Sequence, residues 1–142
     1  MKNLLDVILS NSLYHISFQY FGLEKVFIPN VPKNYFTKHH NENNKIPRIS
    51  FSTSIEGCLI GLSQNLENKI LYVYTPAETT RFYKPSEIDV PDINASNEYW
   101  CLTTITCKLK YKIKILPSTS QGIQYKLGTT YGWNYQIIKK YY

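Results

Sequence analysis

The sequence predicts an α+β domain in which strands outnumber helices, and three observations carry that expectation. Thirteen Tyr and six Phe in 142 residues favour a pleated surface, on which flat rings pack well. The segment "KLKYKIKIL" at 108–116 alternates apolar and basic residues without a break, the period of a strand with one face in water. A single stretch after Thr53 has helical spacing, with Ile55, Cys58, Leu59, Leu62 and Leu66 on one side. Strands in succession with one strong internal helix describe α+β and not βαβ winding.

In chain order, residues 2–11 read as a short N-terminal helix, with Leu4, Leu5, Ile8 and Leu9 on one side and Asn11 as its stop. "LYHIS" at 13–17 is a strand. Gly22, Pro29 and Pro32 break the aromatic stretch that follows into irregular chain or short strand pieces, and 32–47 is a polar loop. "RISFST" at 48–53 is a strand that runs into the helix of 54–66, where Thr53 and Glu56 form a capping box. "KILYVYTP" is a strand ended by Pro76, "TRFYK" a short edge strand, and "PSEIDVPDINAS" a second long connection. "EYWCLTTIT" at 98–106 and the alternating run at 108–116 are strands. "GIQYKL" and "WNYQIIKKYY" close the chain as a hairpin around "GTTYG".

Composition bounds the function classes. A length of 142 residues fits one domain spanning 1–142, and 43% hydrophobic with 18% charged residues is globular rather than disordered composition. The net charge of +6 suits an anionic partner. Its lysines are spread along the chain, which argues against nucleic acid as that partner. Lys108, Lys110, Lys112 and Lys114 read first as the solvated side of a strand and only second as a phosphate-binding ridge. Cys58, Cys101 and Cys107 contain no CxxC pair, so neither a disulfide framework nor a thiolate metal site is expected, and a reducing compartment, the cytoplasm, fits. Asp6 interrupts the apolar N-terminal run, which makes a poor signal peptide and is too short for a membrane span. His39-His40 stands in a polar loop without further ligands, so no metal is expected there.

Three polar positions sit where chemistry would use them. His15 follows Tyr14 in the first core strand, Ser52 and Ser54 flank Thr53 where a strand becomes a helix, and Glu98 opens the late strand "EYW". Singly these read as a packed histidine, a helix cap and a polar strand end. In that order, "YH" (Tyr14-His15), "FSTS" (Phe51–Ser54) and "EYW" (Glu98–Trp100) resemble the motif series of the ADP-ribosyltransferase superfamily. The pattern "YHIS … PRI-FS-SI-G" is also similar to that of small phage-type proteins.

The resemblance implies NAD as substrate, ADP-ribosyltransferase-like sheets, and a job for each residue. Glu98 would face the positive charge that builds on the ribose as the nicotinamide bond breaks, with Ser52 bracing it. His15 would hydrogen-bond the adenosine ribose, with Tyr14, Ser54 and Arg48 lining the nucleotide, the last on its pyrophosphate. Ser96 stands where arginine-modifying transferases carry a second acidic residue or a glutamine, which argues against arginine as acceptor. Histidine-first members usually have tyrosine at the second motif, whereas this chain has the serine–threonine–serine of arginine-first members. The implied partners are a nicotinamide or adenine nucleotide and a host protein target. The competing expectation is a catalytically inactive binding module, such as a phage-encoded inhibitor of a host defence factor.

Overall fold

A computed structural model describes residues 4–5, 13–31, 45–60, 62, 66–86, 96–117, 122–125, 128–131 and 133–141. Its strands in chain order are β1 (Leu4–Leu5), β2 (His15–Ser17), β3 (Glu24–Phe27), β4 (Ile49–Ser52), β5 (Ile70–Pro76), β6 (Phe82–Tyr83), β7 (Glu98–Cys101), β8 (Ile105–Ile115), β9 (Gly122–Tyr125), β10 (Gly128–Tyr131) and β11 (Tyr135–Lys140), with helix α1 (Ile55–Ile60) after β4. Every ladder is antiparallel, so the α+β class holds. Among the described residues no helix is long and apolar enough to cross a membrane.

The smaller of the two main sheets has the order β1-β6-β7-β4 and the larger β11-β8-β5-β2, with β3 also on β8, and β10-β9 form a separate two-stranded sheet. β5 runs along one edge of β8 opposite residues 107–114. The other edge is shared end to end, β3 taking residues 105–108 and β11 taking 111–115. Several expectations change here. Leu4 and Leu5 pair with Tyr83 and Phe82 as a strand, where a helix over 2–11 was expected; the rest of that segment lies outside the described residues. Two leucines in a row fit either period, and the ladder offered by β6 decides. That same pairing makes β6 an interior strand and not an edge. The final segment pairs with β8 rather than folding back on 122–127, and β9 and β10 pair with each other. The strand expected over 98–106 ends at Cys101, and β8 begins at Ile105.

The alternation in β8 conceals a switch of faces. Val73 pairs with Tyr111 and the next residue, Tyr74, with Leu109, so β8 carries an extra residue in a bulge at this point. Val73 and Tyr74 are consecutive on one strand and point to opposite faces. Leu109 and Tyr111 therefore also face opposite ways. A first core lies on one face, where Ile105, Cys107, Leu109 and Tyr74 meet Ile49, Phe51, Phe82 and Cys101 of the smaller sheet. A second core lies on the other, where Leu71, Val73, Ile113 and Ile115 meet Ile16, Leu66 and the α1 residues Ile55 and Leu59. The lysines divide likewise. Lys108 falls on the second-core side, Lys112 and Lys114 on the first-core side.

Helix α1 is shorter than the 54–66 expected, but Leu62 and Leu66 still pack on the second core as the spacing requires. Its cap is Ser54, whose Oγ accepts the Gly57 N–H at 2.9 Å. Thr53 therefore does not cap, and its Oγ1 instead accepts a bond from Asn97. Glu56 does not close a capping box. Its carboxylate accepts the Tyr135 hydroxyl at 3.1 Å and ties β11 to the helix, while burial first and the Glu56 charge second push that phenol up to about 12.

Candidate functional site

The site is built on β4, the last strand of the smaller sheet, next to β7. Ile49 and Phe51 enter the first core, so Arg48, Ser50 and Ser52, at the alternate positions, project from the opposite face. Register places Trp100 opposite Ser50 and Glu98 opposite Ser52, which puts both on that same polar face. The Glu98 Oε2 accepts the Trp100 Nε1–H at 2.6 Å and the Ser50 Oγ–H at 2.9 Å. Both bonds to a carboxylate are charge-assisted. Ser52 is 2% exposed and donates its hydroxyl to the carbonyl of Ser96, two residues before Glu98, at 2.6 Å. The carboxylate is thus held by fixed donors and is 9% exposed.

The two sheets meet along the edge of β4. Tyr14 exchanges backbone bonds with Ser52 at 2.8 and 2.9 Å, and Asn30 does so with Arg48 at 3.1 and 2.9 Å. Between these bridges β2 leaves β4 to pair with β5, and His15 stands in the opening. Its Nδ1 lies 2.8 Å from the Ser50 carbonyl oxygen. A carbonyl only accepts, so Nδ1 carries the proton and Nε2 keeps its lone pair. The ring packs on Phe27 at 4.7 Å and Phe51 at 5.6 Å between centroids. Desolvation lowers its pKa, against a smaller raising effect of the Ser50 bond, and the imidazole is neutral at pH 7.

His15, Ser52 and Glu98, up to 83 positions apart in sequence, are therefore gathered around two residues of one strand. They approach from different sides. The imidazole lies on the aromatic core side of β4 with Phe51, and the carboxylate lies on the polar side. Ser50 connects them, its carbonyl taking the imidazole proton donor and its hydroxyl bonding the carboxylate.

The other expected residues divide between framework and site. Tyr14 supplies the bridge to Ser52, and its carbonyl accepts the Cys58 thiol at 3.1 Å. That thiol is pushed far up, chiefly by burial, and is unreactive as a thiolate. Ser54 serves as the helix cap. Arg48 is 1% exposed, with its guanidinium carbon 4.1 Å above the Trp100 ring and its Nη1 donating to the Ile46 carbonyl at 3.2 Å. A pyrophosphate would reach that guanidinium only after Arg48 and Trp100 part.

Compared with protein-family models, curated proteins and solved structures, the chain finds no match. Among the described residues no group of three His, Cys, Asp or Glu stands together as a metal site; His39-His40 lies outside them.

Sequence reasoning missed Ser50 and Trp100 as partners of Glu98. Both had a signal, since Ser50 shares a face with Ser52 and Trp100 shares one with Glu98 at a spacing of two. Gly57 reads in the sequence as a residue that weakens the helix but permits close packing, without saying against what. A Cβ there would collide with the Ser52 hydroxyl and the Ser96 carbonyl, a contact that only the packing of α1 on β4 creates.

Proposed function

We propose that the domain handles a nicotinamide dinucleotide at the β4–β7 face in the manner of an ADP-ribosyltransferase, with Glu98 as the group that meets the developing charge on the ribose. One observation carries the reading: the three motif segments chosen from the sequence meet on β4, with Tyr14 bridged to Ser52, Ser52 in register with Glu98, and Ser50 bonded to both His15 and Glu98. Glu98 has the chemistry required, because a carboxylate held by fixed donors stabilises a cation without reorganising. His15 stands across β4 from this face and is linked to Glu98 through Ser50, so in this reading it positions the strand that carries the site and does not touch the ligand there. The 9% exposure of Glu98 requires that the ligand open the face as it enters.

The test measures nicotinamide release and thermal stabilisation by NAD in wild type and Glu98→Gln. Turnover falls on the order of a hundredfold in the variant, while NAD still raises its Tm by mass action. Absence of both nicotinamide release and a Tm shift at millimolar NAD in wild type overturns the reading.

A second reading has its own observation. Phe18, Tyr20, Phe21, Leu23, Val26 and Ile28 are all exposed, Ile28 to 72%, a density of apolar side chains in water that marks interaction surfaces. It favours a module that binds a host protein without chemistry, and that reading gains if wild type releases no nicotinamide yet retains its biological effect.

A further inference from the structure

The bulge in β8 and the docking of β11 together create a basic face that the linear sequence does not display. Lys112 has Tyr72 of β5 on one side and Lys139 of β11 on the other. Lys114 has Ile70 and Gln136 in the corresponding places. No carboxylate stands beside either lysine in the ladder, and like charges directly opposite each other destabilise a sheet. Aromatic rings lie alongside. Tyr20 and Tyr72 have centroids 5.6 Å apart, and Lys139 Nζ sits 4.9 Å from the Tyr141 centroid. Tyr20 is 55% exposed, and Lys114 and Lys139 are exposed too.

A solvated strand face explains isolated lysines, but it does not explain two paired across a ladder with tyrosines flanking them. A ligand carrying regular negative charge and flat rings satisfies both features at once. We propose that this face binds single-stranded nucleic acid, with Lys112, Lys114 and Lys139 on backbone phosphates and Tyr20, with Tyr72 behind it, stacking a base. The sequence argues against nucleic acid because its lysines are scattered; the fold collects them from segments 25 positions apart. None of these residues belongs to the β4–β7 site, so the proposal stands or falls independently of NAD.

The experiment is fluorescence anisotropy of the full chain with labelled oligo-dT and oligo-U of about twenty nucleotides, longer than the footprint of a single binding fold. Three phosphate contacts predict a salt slope near −2, or roughly twentyfold weaker binding between 50 and 200 mM salt. Lys112→Gln/Lys139→Gln reduces the slope by about 1.4, and Tyr20→Ala weakens binding about tenfold. Lys108→Gln/Lys140→Gln removes equal charge from the opposite face of the same two strands and leaves affinity within about twofold of wild type, apart from weak long-range screening. Equal losses in the two double variants, or no binding to either oligonucleotide, overturn the proposal, and binding only to phosphatidylserine vesicles replaces it with a lipid surface.

Discussion

Gly57→Ala tests the seating of α1 on the polar face of β4, because two opposing effects give opposite signs. In an ordinary helix interior, alanine in place of glycine stabilises by about 1 kcal/mol. Here the added methyl would meet the Ser52 hydroxyl and the Ser96 carbonyl oxygen, with Ser54 Oγ 3.1 Å away. Those first two atoms are bonded to each other at 2.6 Å and buried, so neither turns aside freely. Overpacking of this kind costs about 1–3 kcal/mol, and separating a buried hydrogen-bonded pair costs about 1–3 kcal/mol more. Against the helix gain, the net loss is about 3 kcal/mol. At about 2.1 cal/mol/K of unfolding entropy per residue, a chain of 142 residues loses roughly 10 °C of Tm. Calorimetry measures it directly. A Tm equal to or above wild type means that α1 does not sit on Ser52 and Ser96 as described, and the geometry given for Glu98 then fails with it.

Two further outcomes follow from the same face and its seam. His15 has a lowered folded-state pKa, so the unfolded chain binds its proton first. The stability it contributes is complete above the unfolded value near 6.5 and is lost as pH falls toward the folded value, at up to about 1.4 kcal/mol per pH unit. Urea midpoints of wild type at pH 7.5 and 5.5, compared with His15→Asn, isolate that component; an identical pH dependence in the variant refutes it. Trp100→Phe removes a buried donor to Glu98 at 2.6 Å and destabilises by about 2–3 kcal/mol. In a double-mutant cycle with Glu98→Gln the two changes are non-additive by about 1 kcal/mol or more, and additive losses refute the bond.

The fold was legible wherever one periodicity ran through an uninterrupted element. Ile49 and Phe51 alternate with Ser50 and Ser52, and the sheet turns the first pair into the first core and the second pair to the opposite face. Ile55, Leu59, Leu62 and Leu66 all reach the second core, the first two from α1 and the last two from beyond its end at Ile60. Within the candidate site a period of two makes legible only that Ser50 shares a face with Ser52 and Trp100 with Glu98; that β7 lies beside β4 and that His15 comes to Ser50 does not follow from it. Which strand lies beside which was not legible. Nothing local in Tyr135–Lys140 says that it joins β8, and the ladder of β11 is fixed by contacts across 20 or more positions.

The bulge opposite Val73 and Tyr74 is the most instructive failure, because there the sequence pattern is perfect and its plain interpretation wrong. Leu109, Tyr111, Ile113 and Ile115 alternate with lysines as if one face were buried throughout, yet the first faces one core and the last two another. A strand serving two cores on opposite faces must change parity once, and an extra residue is the means of doing so. In β8 every odd position is apolar and every even one from 108 to 114 is lysine, so the slip leaves the hydrophobic pattern intact on both sides of it. Its cost falls on the lysines instead. Two of them are turned to the first-core side beyond the reach of the smaller sheet, where Lys112 meets Lys139. The charge pairing on that face is therefore a consequence of building two cores around a single long strand, and it is the feature on which the proposed nucleic-acid site rests.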